Sequence, residues 1–207
     1  MICADRIEKL REEVGARLSD KRYTHTLGVE RAAAQIGKYC LPDKISELSV
    51  AALLHDVAKE MSRDVLLAAM ERSSVDFTAE DYSSHALYHA FAASVIIREE
   101  FSDLATDEIL LAVFKHTSGD SQMSDFDEII FVADFVEDGR EYEACREIRE
   151  SLFERLSAAT SYSECLQALH STVVEIIDFT IKYLEDKGKS VNSRMLLAKK
   201  AVLAKMS

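Results

Sequence analysis

One proline and six glycines in 207 residues constrain this chain more than any other feature. Antiparallel sheets and barrels need frequent tight turns, and tight turns draw on glycine and proline. A chain so poor in both builds long helices with short joins. Hydrophobic residues make up 48% of it, enough for a substantial core without staples. The expected fold class is all-α, with about eight to ten helices in one globule.

Apolar periodicity agrees. Ile7, Leu10, Val14 and Leu18 recur at helical spacing over 5–18, and Val29, Ala33 and Ile36 share a face of 22–39. Pro42-Asp43 restarts a helix expected to run over 43–58. Ser62 opens a short helix to about 71, residues 73–81 are looser, and 82–100 read as one helix. Thr106 starts the next, which stops at Thr117-Ser118-Gly119. Asp125 followed by Glu128 resembles a capping box for IIFVADFVED, and Gly139 ends that helix. Amphipathic helices follow over 142–160 and 163–187, with Gly188 as C-cap, and a basic helix over 192–205.

The formal net charge of −12 argues against nonspecific binding to nucleic acid or to anionic membrane. A phosphorylated small molecule stays open, provided that a metal or a few Arg and Lys make a local positive centre. No apolar run reaches about 18 residues, so no membrane span is expected. The N-terminal stretch has no apolar segment of the signal-peptide kind. Cys3, Cys40, Cys145 and Cys165 form no C-x-x-C pair, which points to free thiols in a reducing, cytoplasmic setting.

Chemistry concentrates in the histidines. His25, His55, His89 and His116 each fall on the apolar side or at the end of a separate expected helix. Asp56 and Asp134 interrupt otherwise apolar runs, where an unpaired, ionised carboxylate costs several kcal/mol if buried. A cation removes that cost. Neighbouring helical side chains point about 100° apart, so His55 and Asp56 should edge one pocket rather than share a buried stripe. With His25 and Asp134 they make a set of two imidazoles and two carboxylates. That donor mix suits Fe, Mn, Zn or Co more than Ca, and without a thiolate it is not a structural zinc site. Glu137 and Asp138 read as a solvated acidic turn, close enough to Asp134 for one of them to touch the ligands. His85 reads as a surface residue, and His170 as exposed or partly packed.

The order H…HD…D resembles the HD-domain metal-dependent phosphohydrolases over about residues 20–140. KRYTHTLGV, AALLHDVAKEM, FKHTSG and IIFVADFVEDGRE, at 21–29, 51–61, 114–119 and 129–141, together resemble the YqeK family of symmetrical bis(5′-nucleosyl)-tetraphosphatases. The resemblance implies an HD-domain helical bundle over 1–207, with helices 142–205 packed on the metal-binding core. It implies an iron enzyme, Fe2+ or Fe3+ with one or two ions, that splits diadenosine tetraphosphate into two ADP. His25, His55, Asp56 and Asp134 match the iron ligands. Asp56 would also orient the attacking water or take its proton, and Lys59 matches a phosphate-side catalytic position. His89 and His116 either hold a second ion or bind phosphate oxygens. Arg22, Thr117 and Arg140 match nucleotide or phosphate contacts, as do Ser190, Asn192 and Arg194 in the tail. Ala90 stands where the family usually has Gly, and Asp138 where it often has Pro.

The implied partner is a dinucleoside polyphosphate or another nucleotide, and the long C-terminal helices leave a homodimer open. Two alternatives stand beside this reading: an HD phosphohydrolase acting on another nucleotide, and a nucleotide-sensing module without turnover.

Overall fold

The computed structural model describes residues 2–206. Among them there are eleven α-helices and no strand. In chain order they are α1 (Ala4–Gly15), α2 (Asp20–Cys40), α3 (Ile45–Leu54), α4 (Arg63–Glu71), α5 (Ala79–Ser83), α6 (Tyr88–Glu100), α7 (Asp107–Lys115), α8 (Asp125–Val136), α9 (Glu143–Ala158), α10 (Tyr162–Asp186) and α11 (Ser193–Lys205). Single 3-10 turns at Pro42–Lys44 and His85–Leu87 precede α3 and α6.

α3 is the axis of the bundle. Every residue from Leu48 to Leu54 is buried, as expected of a helix that is apolar all round. α2, α1, α7 and α8 surround it. α10 packs against α8, α9, α2 and α11, and α11 reaches α8 through Lys205 and Glu128. No described helix is long and apolar enough to cross a membrane.

Helix starts follow side-chain caps. Ser19, Ser62, Thr106 and Asn192 each accept a backbone N–H from the first turn they open. α10 closes at Gly188, which has φ +63°, while Lys189 N–H donates to the Leu184 carbonyl. Cys40, Cys145 and Cys165 are buried free thiols and Cys3 is an exposed one.

Four boundaries differ from the sequence reading. The capping box of α8 is Ser124 with Asp127, one register before Asp125 and Glu128, because the Ser124 hydroxyl reaches the third amide. Glu128 is thereby released into the interior. α8 ends at Val136, where Glu137 turns extended at ψ 150°, so Gly139 lies beyond its end. The stretch 82–100 is broken at Ser84, whose hydroxyl, like that of Ser83, bonds back to the Glu80 carbonyl. α3 stops at Leu54 instead of 58. Val57, Lys59 and Met61 then make successive three-residue turns, donating to Leu54, Asp56 and Ala58.

Candidate metal centre

Those tight turns decide where His55 and Asp56 point. In a continuing helix they would diverge. Here both are buried, at 0% and 2% exposure, and His55 Nε2 lies 3.5 Å from Asp56 Oδ2. α2 brings His25 alongside, with Nε2 3.9 Å from the same oxygen and 3.1 Å from Asp134 Oδ1 of α8. His55 Nε2 is 4.0 Å from that Asp134 oxygen. The four residues expected to share an ion therefore face one another from three segments.

The tautomers follow from the partners. His55 Nδ1 lies 2.6 Å from the Ala52 carbonyl, and His116 Nδ1 lies 2.6 Å from the Val113 carbonyl. A carbonyl only accepts, so each Nδ1 carries a proton and each ring turns its Nε2 inward. His25 Nδ1 faces Glu137 Oε1 at 3.1 Å, which likewise turns its Nε2 inward. His25 Nε2, His55 Nε2 and Asp56 Oδ1 are buried without a hydrogen-bond partner. Buried polar atoms left without partners are costly in a dry interior, and a cation can satisfy them together. His25, His55 and Asp134 are close enough to hold one ion; His55, Asp56 and His116 form a second such group.

Asp56 joins the two. Its Oδ2 faces His25 and His55, while Oδ1 is 3.2 Å from His89 Nε2 and 3.7 Å from His116 Nε2. Burial opposes the Asp56 charge, but the surrounding imidazoles of His55, His116 and His89 hold its carboxyl well below the usual range. Asp134 is held down likewise, against burial, by the Arg140 guanidinium and by His25. Burial pushes the His89 imidazole down to about 4, despite the opposing pull of Asp56, so it is neutral at pH 7. For His25 the neighbouring carboxylates of Asp134 and Glu137 overcome burial and raise it to about 9.

Basic groups ring this core. Arg22 Nη1 donates to Asp56 Oδ2 at 2.8 Å. Lys59 Nζ lies 3.0 Å from His89 Nε2 and 3.7 Å from Asp56 Oδ1. Thr117 Oγ1 is 2.9 Å from His116 Nε2 and 3.3 Å from His89 Nε2. Arg140 clasps Asp134 through both its side chain and its carbonyl, each at 2.6 Å. A cleft of about 1220 Å³ opens beside the cluster, with Lys21, Arg22, His25, Arg140 and Tyr142 among its walls.

The tail residues sit elsewhere. Ser190 is exposed, and Asn192 caps α11 while donating to Asp81 and Ser84. Arg194 is forked onto both oxygens of Asp81 at 3.1 Å, reaches Asp120 at 3.2 Å, and lies over the Phe91 and Phe114 rings. None of the three bonds to the His/Asp cluster.

His170 also departs from its expected exposure. It is buried between Asp125, at 3.3 Å, and Glu128, at 3.4 Å. That second cluster is neutralised by Lys205, whose Nζ is 2.6 Å from Glu128 Oε1. Glu137, read as part of a solvated turn, is 3% exposed; its neighbour Asp138 stays outside, paired with Arg31. The only signal for Glu137 in the sequence was its closeness to Asp134.

Comparison with known proteins agrees with this geometry. The HD domain family model matches residues 22–138. A relative from Staphylococcus aureus named "Bis(5'-nucleosyl)-tetraphosphatase, symmetrical" is 26% identical, over 92% of this chain and 91% of its own length. One of the same name from Halalkalibacterium halodurans is 28% identical over 80% and 82%. The fold is that of a crystal structure from Clostridium acetobutylicum titled as a predicted HD superfamily hydrolase involved in NAD metabolism. The TM-score is 0.81 at 24% identity, covering 96% of this chain and 97% of that one. The chain belongs to the HD-domain family of hydrolases, and its resemblance to the symmetrical tetraphosphatases extends over most of its length.

Proposed function

We propose that this hydrolase splits diadenosine tetraphosphate symmetrically into two ADP. The observation that carries the reading is the convergence of His25 Nε2, His55 Nε2 and Asp134 Oδ1, with Asp56 Oδ2 beside them, next to a cleft that Lys21, Arg22, Arg31 and Arg140 line together with Glu60, Asp138 and Glu141. The names of the relatives supply the substrate class.

His25, His55, Asp56 and Asp134 would hold the ion. Iron is our first choice, and Mn, Co or Zn also suit a set of nitrogen and oxygen donors. When bound, such an ion polarises a phosphoryl oxygen and makes water a better nucleophile near neutral pH. Asp56, ionised and with Oδ1 unpartnered, orients the attacking water or takes its proton. Lys59 and Arg22 offset the charge of the phosphate chain from opposite sides of Asp56. His89 is neutral, and with Thr117 and His116 it can accept a second ion or meet a phosphate oxygen. ADP leaves as an ionised phosphate, so charge stabilisation matters more than protonation of the leaving group.

The test is product analysis. Protein loaded with iron or manganese should release two ADP per diadenosine tetraphosphate and no other nucleotide. AMP together with ATP would overturn symmetrical cleavage. No turnover by metal-loaded protein that still binds the dinucleotide would make it a sensing module.

A further inference from the structure

We infer that Glu137 is the positioning residue of the metal centre, and that Gly28 is a glycine so that Glu137 can reach it. The inference rests on the metal reading above and goes beyond it, because neither residue belongs to the H…HD…D set. Glu137 is the first residue after α8 and is 3% exposed. Its carboxylate is divided between two tasks. Oε1 lies 3.1 Å from His25 Nδ1, while Oε2 accepts the Gly139 N–H at 2.7 Å. The second bond fixes the carboxylate, and the first fixes the proton of His25 on Nδ1. Nε2 then faces Asp134 and Asp56, placed to ligate once it gives up its proton. Of the three inward-facing histidines with an assigned Nδ1 proton, His55 and His116 are oriented by carbonyls of their own segments. His25 alone depends on a side chain, from 112 residues away.

Gly28 makes the approach possible. It is one helical turn beyond His25 in α2, on the same face. A Cβ added there would lie 2.3 Å from Glu137 Oε2 and 3.1 Å from its Cδ. Contacts that short cannot persist, and the group that must yield is the end of a side chain rather than backbone. The fold can absorb an alanine at 28 by swinging Glu137 aside; the His25 contact cannot. Helix propensity makes the site more telling. A glycine inside a helix is less favourable than alanine. Its presence in the middle of α2 needs a reason, and the closeness of Glu137 supplies one.

Carboxylates that hold the outer nitrogen of a ligating histidine typically change metal affinity by about 10–100-fold when removed. Four proteins decide the matter: Glu137→Ala, Glu137→Gln, Gly28→Ala and the Gly28→Ala/Glu137→Ala double variant. Two quantities are read on each: the dissociation constant for Mn2+, by competition with a chelator, and the melting temperature in excess chelator.

Glu137→Ala and Gly28→Ala should each weaken Mn2+ binding by about 10–100-fold. The double variant should be no weaker than Glu137→Ala alone, since both changes break one contact. Glu137→Gln keeps an acceptor oxygen for His25 and should stay within a few-fold of the parent. Wild-type affinity in Glu137→Ala, or losses that add fully in the double variant, would overturn the inference. So would a Mn2+ loss that appears only where the metal-free melting temperature has collapsed. If the parent protein itself bound no Mn2+, iron or cobalt, the metal reading would fail first, independently of Glu137.

Discussion

His55 and Asp56 are adjacent in the chain, yet their facing atoms, Nε2 and Oδ2, are only 3.5 Å apart in the interior. The end of α3 at Leu54 and the tight turns after it make this possible. The pair thus combines a fixed imidazole, tied to the Ala52 carbonyl, with a carboxylate that is buried but ionised.

Removing either member should separate metal binding from folding. His55→Ala and Asp56→Asn are expected to drop metal content well below one ion per chain and to abolish phosphate-ester hydrolysis. Far-UV circular dichroism should keep nearly the parental helical signal, because the helices around α3 do not depend on these two side chains for their caps. Metal analysis and activity on the same preparations check this. Normal metal content in both variants would disprove the ligand assignment.

The proton on His25 should make metal binding depend on pH in a defined direction. In the metal-free protein His25 titrates at about 9, above its ordinary 6.5. A raised pKa stabilises the fold below about pH 6.5, and that contribution is lost as pH rises through about 9. Ligation needs Nε2 without a proton, so affinity moves the opposite way and binding releases a proton. The melting temperature of the stripped protein should fall between about pH 6.5 and 9, while its gap to the loaded protein widens. Calorimetric titration of Mn2+ at pH 7.5, in buffers of different ionisation heat, should register about one proton released. A gap independent of pH would mean that His25 is not a ligand.

The parts of this site that were legible in the sequence are those that break a local rule. Asp134 stands inside VADFV, and Asp56 follows an apolar run, so each demanded a compensating charge. The helices were legible because apolar periodicity and hydroxyl caps coincide, as at Ser62 and Thr106. What was hidden depends on geometry between segments. The tightening after Leu54 leaves no composition mark, so His55 and Asp56 looked divergent. Glu137 and Asp138 are both acidic residues after the same helix, and only the fold buries one and exposes the other. Arg194 is bound to a carboxylate 113 residues earlier, which no local pattern announces.

That distant pair carries the next expectation. Asp81 is 2% and Arg194 19% exposed at the side chain, and their double hydrogen bond ties α11 to α5. Breaking a buried pair from one side costs ~3 kcal/mol. For a chain of this size that corresponds to a fall of roughly 6–12 °C in melting temperature for Arg194→Ala. The Asp81 carboxyl is buried, which opposes its charge, but the fork from Arg194 lowers its pKa. The stabilisation is therefore present above the unfolded value near ~3.9 and is lost as pH falls through the lower folded value. The difference between Arg194→Ala and its parent should narrow in acid. Mn2+ affinity should be unchanged, since Arg194 bonds to none of the ligands. A large loss of metal affinity without a loss of stability would contradict the clamp.

Arg22 and Arg140 should fail in different ways, although each binds a carboxylate of the metal set. Arg140 holds Asp134 at two points, by its carbonyl and its Oδ1, which fixes the residue's direction as well as its charge. Arg22 makes a single contact, to Asp56 Oδ2, from a side chain 32% exposed on the cleft wall. Asp56 loses little orientation without it, because five other groups surround the carboxylate: His25, His55, His89, His116 and Lys59. Arg140→Ala is therefore expected to act on the metal, weakening Mn2+ binding by about tenfold or more, as loss of a ligand's outer partner does. Arg22→Ala is expected to act on substrate, raising KM by about tenfold, in keeping with a lost charge-assisted hydrogen bond to phosphate of roughly 1.5 kcal/mol. Its metal content should stay close to parental. Steady-state kinetics at saturating Mn2+, set beside metal titrations of the same two proteins, resolve the pair. If Arg22→Ala lost metal as readily as Arg140→Ala, both arginines would be supports of the ligand shell and the cleft would lack its nearest phosphate contact.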